Sequence, residues 1–187
     1  MTPAERRFEA LVGHCGARAL AYLSRRTTPV EDAADVYQET LTTAWRKVHD
    51  CPDDLDHQLA WLLAIARRTL ANHRRARSRR LAATQRLCDE LAAGDGARIR
   101  DRPASEGLEH VREALDALGD DDREVLTLTY WEGLSSDQVA TVLGVRPATA
   151  RKRLERGRRR VAVVLATHSR ADVPDHRRLS DPVDAIP

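Results

Sequence analysis

Apolar residues recur at steps of three and four along most of this chain, and the stretches where they do so mark its elements. Phe8, Leu11, Val12, Cys15, Ala19, Tyr22 and Leu23 keep that spacing and predict a helix over residues 8–24. The run Arg25-Arg26-Thr27-Thr28-Pro29 closes it, because proline and the residue before it both resist helical backbone. A second stripe, Ala33, Val36, Tyr37, Leu41, Ala44 and Trp45, predicts a helix from about residue 30 to 48. Glu31 and Asp32 fall in its first turn and Arg46 and Lys47 in its last, which complements the helix dipole. Residues 50–56 are polar and read as a loop. A third helix, residues 58 to about 80, opens apolar with Leu59, Trp61, Leu62 and Ile65 and closes in arginines.

The periodicity then weakens. Gly94-Asp95-Gly96 and Arg102-Pro103-Ala104-Ser105 are breakers, so residues 81–106 read as a flexible linker with at most one frayed helix around 81–92. A second unit begins near Leu108. Val111, Leu115 and Leu118 mark its first helix, and Val125, Leu126 and Leu128 a second over residues 123–130. From about Thr167 the chain carries Pro174, Pro182 and Pro187 among charged residues and is expected to be disordered. The expected fold class is all-α: two small helical domains, 5–80 and 107–166, joined by the linker 81–106 and followed by the tail 167–187.

Composition agrees with helices. Apolar residues make up 42% but aromatics only 4%, so the cores must be built from Leu, Val and Ala. No run of eighteen apolar residues exists, so no membrane span is expected, and the first residues lack a signal-peptide stretch, so the chain is expected in the cytoplasm. Cys15, Cys51 and Cys88 are odd in number and widely spaced. They form neither a zinc pattern nor a disulfide framework and are expected to be structural, with no metal, cofactor or redox switch.

The sharpest local signal lies at residues 135–158, SSDQVATVLGVRPATARKRLERGR. A short helix over Ser136–Leu143 presents Val139, Ala140 and Leu143 inward. Gly144 supplies a positive φ at its end, Val145 plugs the junction, and Pro147 suits the first turn of the next helix. Ala150 and Leu154 then face the core. That pattern is what a helix-turn-helix needs. The outer face holds Arg146, Ala148, Thr149, Arg151, Lys152, Glu155 and Arg156, whose long cationic donors can reach base edges or phosphates. An αα-hairpin with a basic solvent face shares this spacing.

Charge is segregated beneath a net +2. Residues 57–88 hold no Asp or Glu but eight arginines, namely 67, 68, 74, 75, 77, 79, 80 and 86. Residues 145–161 hold eight Arg or Lys against Glu155 alone. Residues 30–56 hold eight acids against Arg46 and Lys47. Two polyanion contacts and a separate partner for the acidic segment are implied. In the helix after Trp61, polar and cationic residues share one side with apolar ones, a surface suited to melting or single-stranded DNA. A helix-turn-helix repressor or activator, with an N-terminal domain that dimerises or senses a ligand, also fits these features and predicts a palindromic site. A nuclease is the enzyme reading, but no metal-spaced or triad-like set supports it.

Three segments, in this order, resemble the bacterial sigma factors of RNA polymerase, specifically the small extracytoplasmic-function group. VEDAADVYQETLTTAW (30–45) resembles region 2.2. WLLAIARR (61–68) with the arginine-rich turn after it resembles regions 2.3–2.4, and residues 115–158 resemble region 4 nearly throughout. The resemblance implies that Asp35, Gln38 and Glu39 dock on the β′ clamp helices of core RNA polymerase, and that region 4 meets the β flap. It implies that Trp61, Ile65, Arg67, Arg68, Asn72 and Arg75 bind the melted −10 element of promoter DNA, with loop 50–56 helping to pocket a flipped base. Arg146, Ala148, Thr149, Arg151, Lys152 and Arg156 are the implied −35 contacts. An anti-sigma partner and no enzymatic activity are implied as well. Arg68 stands where the family usually has Asn, Ala34 where it has an acid, Leu41 where it has Phe, Gly119 where it has Pro, Gln138 where it has Glu, and Ala148 and Ala150 where Gly and Val are common.

Overall fold

The computed structural model describes residues 1–91, 115 and 118–171, and the side chains of 1–84, 115 and 118–166. Among the described residues every regular element is helical: α1 (Pro3–Ser24), α2 (Asp32–Arg46), a 3-10 turn (Val48–Asp50), α3 (Leu55–Leu91), α4 (Asp120–Tyr130), α5 (Ser136–Leu143) and α6 (Pro147–Ala171). None of these helices is long and apolar enough to cross a membrane.

Local chemistry sets most of the boundaries. α1 starts five residues before Phe8 because Thr2 and Glu5 form a reciprocal capping box ahead of Pro3. α2 is shorter than its apolar stripe suggests, Asp32–Arg46, and Trp45 lies 42% exposed with its ring edge-on to Phe8 at 5.3 Å. The small Ala44 takes the inward position instead. α3 begins at Leu55 and runs on through Leu91, eleven residues into the segment expected to be a linker. Residues 55–91 contain no Gly or Pro and are rich in Leu, Ala and Arg, so nothing in the sequence halts the helix there. α6 likewise reaches Ala171, past the expected start of the tail at Thr167. The expected helix at 108–118 and the tail from Asp172 onward lie outside the described residues, apart from Leu115 and Leu118.

α1, α2 and α3 pack on one another around Leu11, Cys15, Tyr22, Leu23, Val36, Leu62 and Leu63, all buried. α4, α5 and α6 pack around Val125, Leu128, Val139, Ala140, Ala150 and Leu154. Leu143, expected inward, is half-buried, and Val142 is buried in its place. At Gly157 α6 approaches α4 so closely that an added Cβ would sit 3.1 Å from Leu126 Cδ1. The two groups also touch: α5 lies along α3, and the buried residues of both form one continuous cluster.

Polar contacts reinforce that junction. Glu132, in the turn between α4 and α5, is only 3% exposed. Its Oε1 accepts Arg25 Nη2 at 2.7 Å and Arg26 Nη1 at 3.5 Å, and its backbone carbonyl accepts the Arg18 guanidinium. Arg26 also lies 3.9 Å from the centre of the Tyr22 ring, a phenol that burial pushes up to a pKa of about 12. Gln138 Nε2 donates to the Asp56 carbonyl at 2.5 Å, tying the start of α5 to the start of α3.

Candidate nucleic-acid interface

α5 and α6 are joined as a helix-turn-helix. Ser135 caps α5, its hydroxyl accepting Gln138 N–H while the Gln138 side chain accepts the Ser135 N–H. Gln at this position therefore completes the capping box as Glu would. Gly144 ends α5 in the left-handed region at φ 66°, where its backbone N–H bonds Ala140 and Thr141 carbonyls. Pro147 opens α6 at the position where its missing N–H has no helical partner. Val139, Ala140, Ala150 and Leu154 are all buried, which fixes the opposite side of α6 outward.

On that outward side Arg146, Ala148, Thr149, Arg151, Lys152 and Arg156 are all exposed. They are not equivalent. Arg151 Nη1 lies 3.4 Å from the exposed Asp137 carboxylate. Arg156 is gripped side-on by Asp122, with Nε to Oδ2 at 2.7 Å and Nη2 to Oδ1 at 2.5 Å. Asp122 is 1% exposed and also accepts Arg160 Nη1 at 3.2 Å. The hydrogen bond from Arg156, with Arg160 and Arg153 nearby, holds its carboxyl below the ordinary value despite burial. Arg156, expected to face the −35 element, is exposed and at the same time paired with the buried carboxylate of Asp122. The sequence did carry a signal for Asp122: it sits three and four residues before Val125 and Leu126, in register with the apolar stripe of α4.

The −10 candidates on α3 fall into two sets. Arg68, Asn72 and Arg75 are exposed, and Arg75 Nη2 donates to Asn72 Oδ1 at 2.7 Å. Trp61 and Ile65 are half-buried against the core cluster. Arg67 is half-buried and bound side-on to Glu124 of α4, at 2.8 and 3.0 Å. Below them Arg26, His73, Arg74 and Arg77 line a hollow of about 310 Å³, whose edge carries Asp32, 3.1 Å from His73 Nε2. In loop 50–56, Asp54 accepts His57 Nδ1 at 2.6 Å and is thereby held below the usual carboxylate value.

The acidic candidates lie on a different helix from either cationic set. Asp35, Gln38 and Glu39 are exposed on α2, opposite the buried Ala33, Val36, Thr40 and Ala44. Cys15 and Cys51 are buried free thiols that burial pushes up, the condition of inert rather than reactive cysteines. No group of three or more metal-ligating side chains occurs among the described residues.

Known proteins are similar to this chain in sequence and arrangement. The family model for Sigma-70 region 2 matches residues 11–80, and that for Sigma-70, region 4 matches residues 108–161. The ECF RNA polymerase sigma factor SigL of Mycobacterium tuberculosis is 31% identical over 134 residues, 71% of this chain and 74% of that protein. The RNA polymerase sigma factor CnrH of Cupriavidus metallidurans is 33% identical over 177 residues, 88% and 90% of the two chains. The chain spans 38% of a longer relative, the probable RNA polymerase sigma factor RfaY of Xanthomonas campestris pv. campestris, at 33% identity. Among solved structures, the sigma factor RpoE of Bartonella quintana, in complex with the anti-sigma factor NepR, superposes with a TM-score of 0.57 at 26% identity. That match covers 84% of this chain and 95% of RpoE. CnrH in complex with the cytosolic domain of CnrY gives 0.53 at 28% identity, covering 87% and 90%.

Proposed function

Because the chain belongs to the sigma-70 family as an extracytoplasmic-function sigma factor, which directs promoter-specific transcription by RNA polymerase, we propose how its parts divide that work. Residues 5–80 dock on the β′ clamp helices of core polymerase through Asp35, Gln38 and Glu39. They hold the melted −10 strand through Trp61, Ile65, Arg67, Arg68, Asn72 and Arg75. Residues 107–166 meet the β flap and read the −35 element with Arg146, Ala148, Thr149, Arg151, Lys152 and Arg156. The chain acts by binding, in the cytoplasm where core enzyme and promoter meet, and catalyses no reaction of its own.

The observation that carries this reading is the separation of exposed faces. The acidic face of α2 and the cationic face of α6 each lie opposite a buried stripe on their own helix, so one chain can engage a protein and a duplex at once. Access to the −10 strand requires a rearrangement, since Arg67 is occupied by Glu124 and α5 lies along α3. A chain in this closed arrangement also offers one continuous surface to an anti-sigma partner, and the similar RpoE was solved in complex with the anti-sigma factor NepR. Once apart, residues 92–106 alone reach about 50 Å fully extended, which suffices for two separated promoter elements.

In reconstituted transcription with core polymerase, Lys152→Ala or Arg151→Ala is expected to weaken −35-dependent initiation while core binding stays intact. Asp35→Ala or Gln38→Ala is expected to do the reverse. Equal loss of core binding in all four variants refutes this division.

A further inference from the structure

The recognition helix carries one arginine whose direction is imposed by a buried acid on another helix. Asp122 lies in the first turn of α4, 1% exposed, and takes Arg156 by a side-on fork that uses Nε and Nη2. A guanidinium is planar with five N–H donors, so this fork leaves a second edge, one N–H each from Nη1 and Nη2, directed away from the carboxylate. Arg156 follows Thr149 and Lys152 at helical spacing and is exposed as they are, so its side chain is open to a partner approaching that face of α6. Two parallel donors are what the N7 and O6 atoms of guanine accept in the major groove.

Geometry argues for a base over a phosphate. With one side of its guanidinium held by Asp122, Arg156 offers a directed pair of parallel N–H groups rather than a freely orienting charge. The fork also removes the rotamer freedom that a lone arginine must surrender on binding. The frame around the pair is stiff: Arg153 Nη2 reaches Asp121 at 2.7 Å one residue away, and the close approach at Gly157 fixes α6 against α4.

We propose that Asp122 is a positioning residue for −35 recognition, presenting the free edge of Arg156 to a single guanine and so setting specificity at one position of the element. This rests on the assignment of α6 to the −35 element. It differs from that assignment in giving a residue outside the recognition helix control over which base is read.

The test uses holoenzyme assembled from core polymerase and the full chain, selecting from a promoter library randomised across the −35 element. Wild-type, Asp122→Asn, Arg156→Lys and Lys152→Ala chains are compared. Arg156→Lys keeps the charge but cannot form the fork, and it serves if Asp122→Asn fails to fold. The expected result is loss of about tenfold of the preference for guanine at one position, the same position in Asp122→Asn and Arg156→Lys. Preferences elsewhere and the salt dependence of binding remain as in wild type. A uniform fall in occupancy across all positions in Asp122→Asn, as a purely structural role gives, overturns the proposal. So does a profile unchanged in either fork variant. If Lys152→Ala alters the profile while the fork variants do not, α6 still reads the −35 element but neither Asp122 nor Arg156 sets a base, and the proposal is overturned. If wild-type holoenzyme shows no −35 preference, the assignment of α6 fails and this proposal fails with it.

Discussion

Replacing Glu132 with Gln should loosen the junction between the two helical units, and the size of the effect can be worked from its contacts. The carboxylate is 3% exposed and accepts Arg25 at 2.7 Å and Arg26 at 3.5 Å. A hydrogen bond between charged partners contributes about 1.5–3 kcal/mol when its acceptor is shielded from water. The 3.5 Å contact adds little, so about 2 kcal/mol is the expected loss, equivalent to about a 30-fold rise in the open-to-closed ratio. The second ionic contact, Arg67 with Glu124, is 37% and 22% exposed, and pairs so wetted contribute about 0–1 kcal/mol. Glu124→Gln should therefore open the chain far less than Glu132→Gln. Small-angle scattering of the purified chain reads compactness, and binding of a fluorescent single strand of about twelve nucleotides reads access to α3. Glu132→Gln is expected to raise the radius of gyration and tighten strand binding, by up to the same factor as the population shift. Arg67→Ala in that background should remove part of the gain. An unchanged radius together with unchanged strand affinity refutes the claim that Glu132 holds the units together.

Three further outcomes are expected. Gly144→Ala places a Cβ in open space but at φ 66°, so it should destabilise the helix-turn-helix by about 1–2 kcal/mol in thermal unfolding; an unchanged melting temperature would show that the left-handed turn is not held there. Asp122 has a folded pKa below its unfolded value near 3.8, so its contribution is complete above that value and is lost as pH falls through the lowered folded pKa. Urea titrations between about pH 7 and pH 3 should show the wild type losing stability on acidification while Asp122→Asn starts lower and changes less; parallel curves contradict the pairing. Cys15 and Cys51, buried with raised pKa values, should alkylate slowly in a Cys88→Ser background and rapidly in urea, and fast native alkylation would place them at the surface.

What could be read from the sequence is what depends on neighbours along the chain. The bounds of α5 follow from Ser135 and Gln138 at one end and Gly144 at the other, since capping and positive φ are settled within a few residues. Most of the exposed face of α2 follows from the register of Ala33, Val36 and Ala44 by the same logic, while the structure completes the buried stripe with Thr40 rather than Leu41 and Trp45. Thr2 and Glu5 carried the capping signal that starts α1 at Pro3, although apolar spacing alone begins at Phe8. Which charged groups meet was a matter for the tertiary structure. Arg67 with Glu124, Arg156 with Asp122 and Arg25 with Glu132 join residues 57, 34 and 107 positions apart, and no periodicity encodes such pairs. In sequence these arginines belong to uniform basic blocks. Packing separates them, because a guanidinium brought beside a buried carboxylate is fixed in direction while its neighbours on the same helix stay in water.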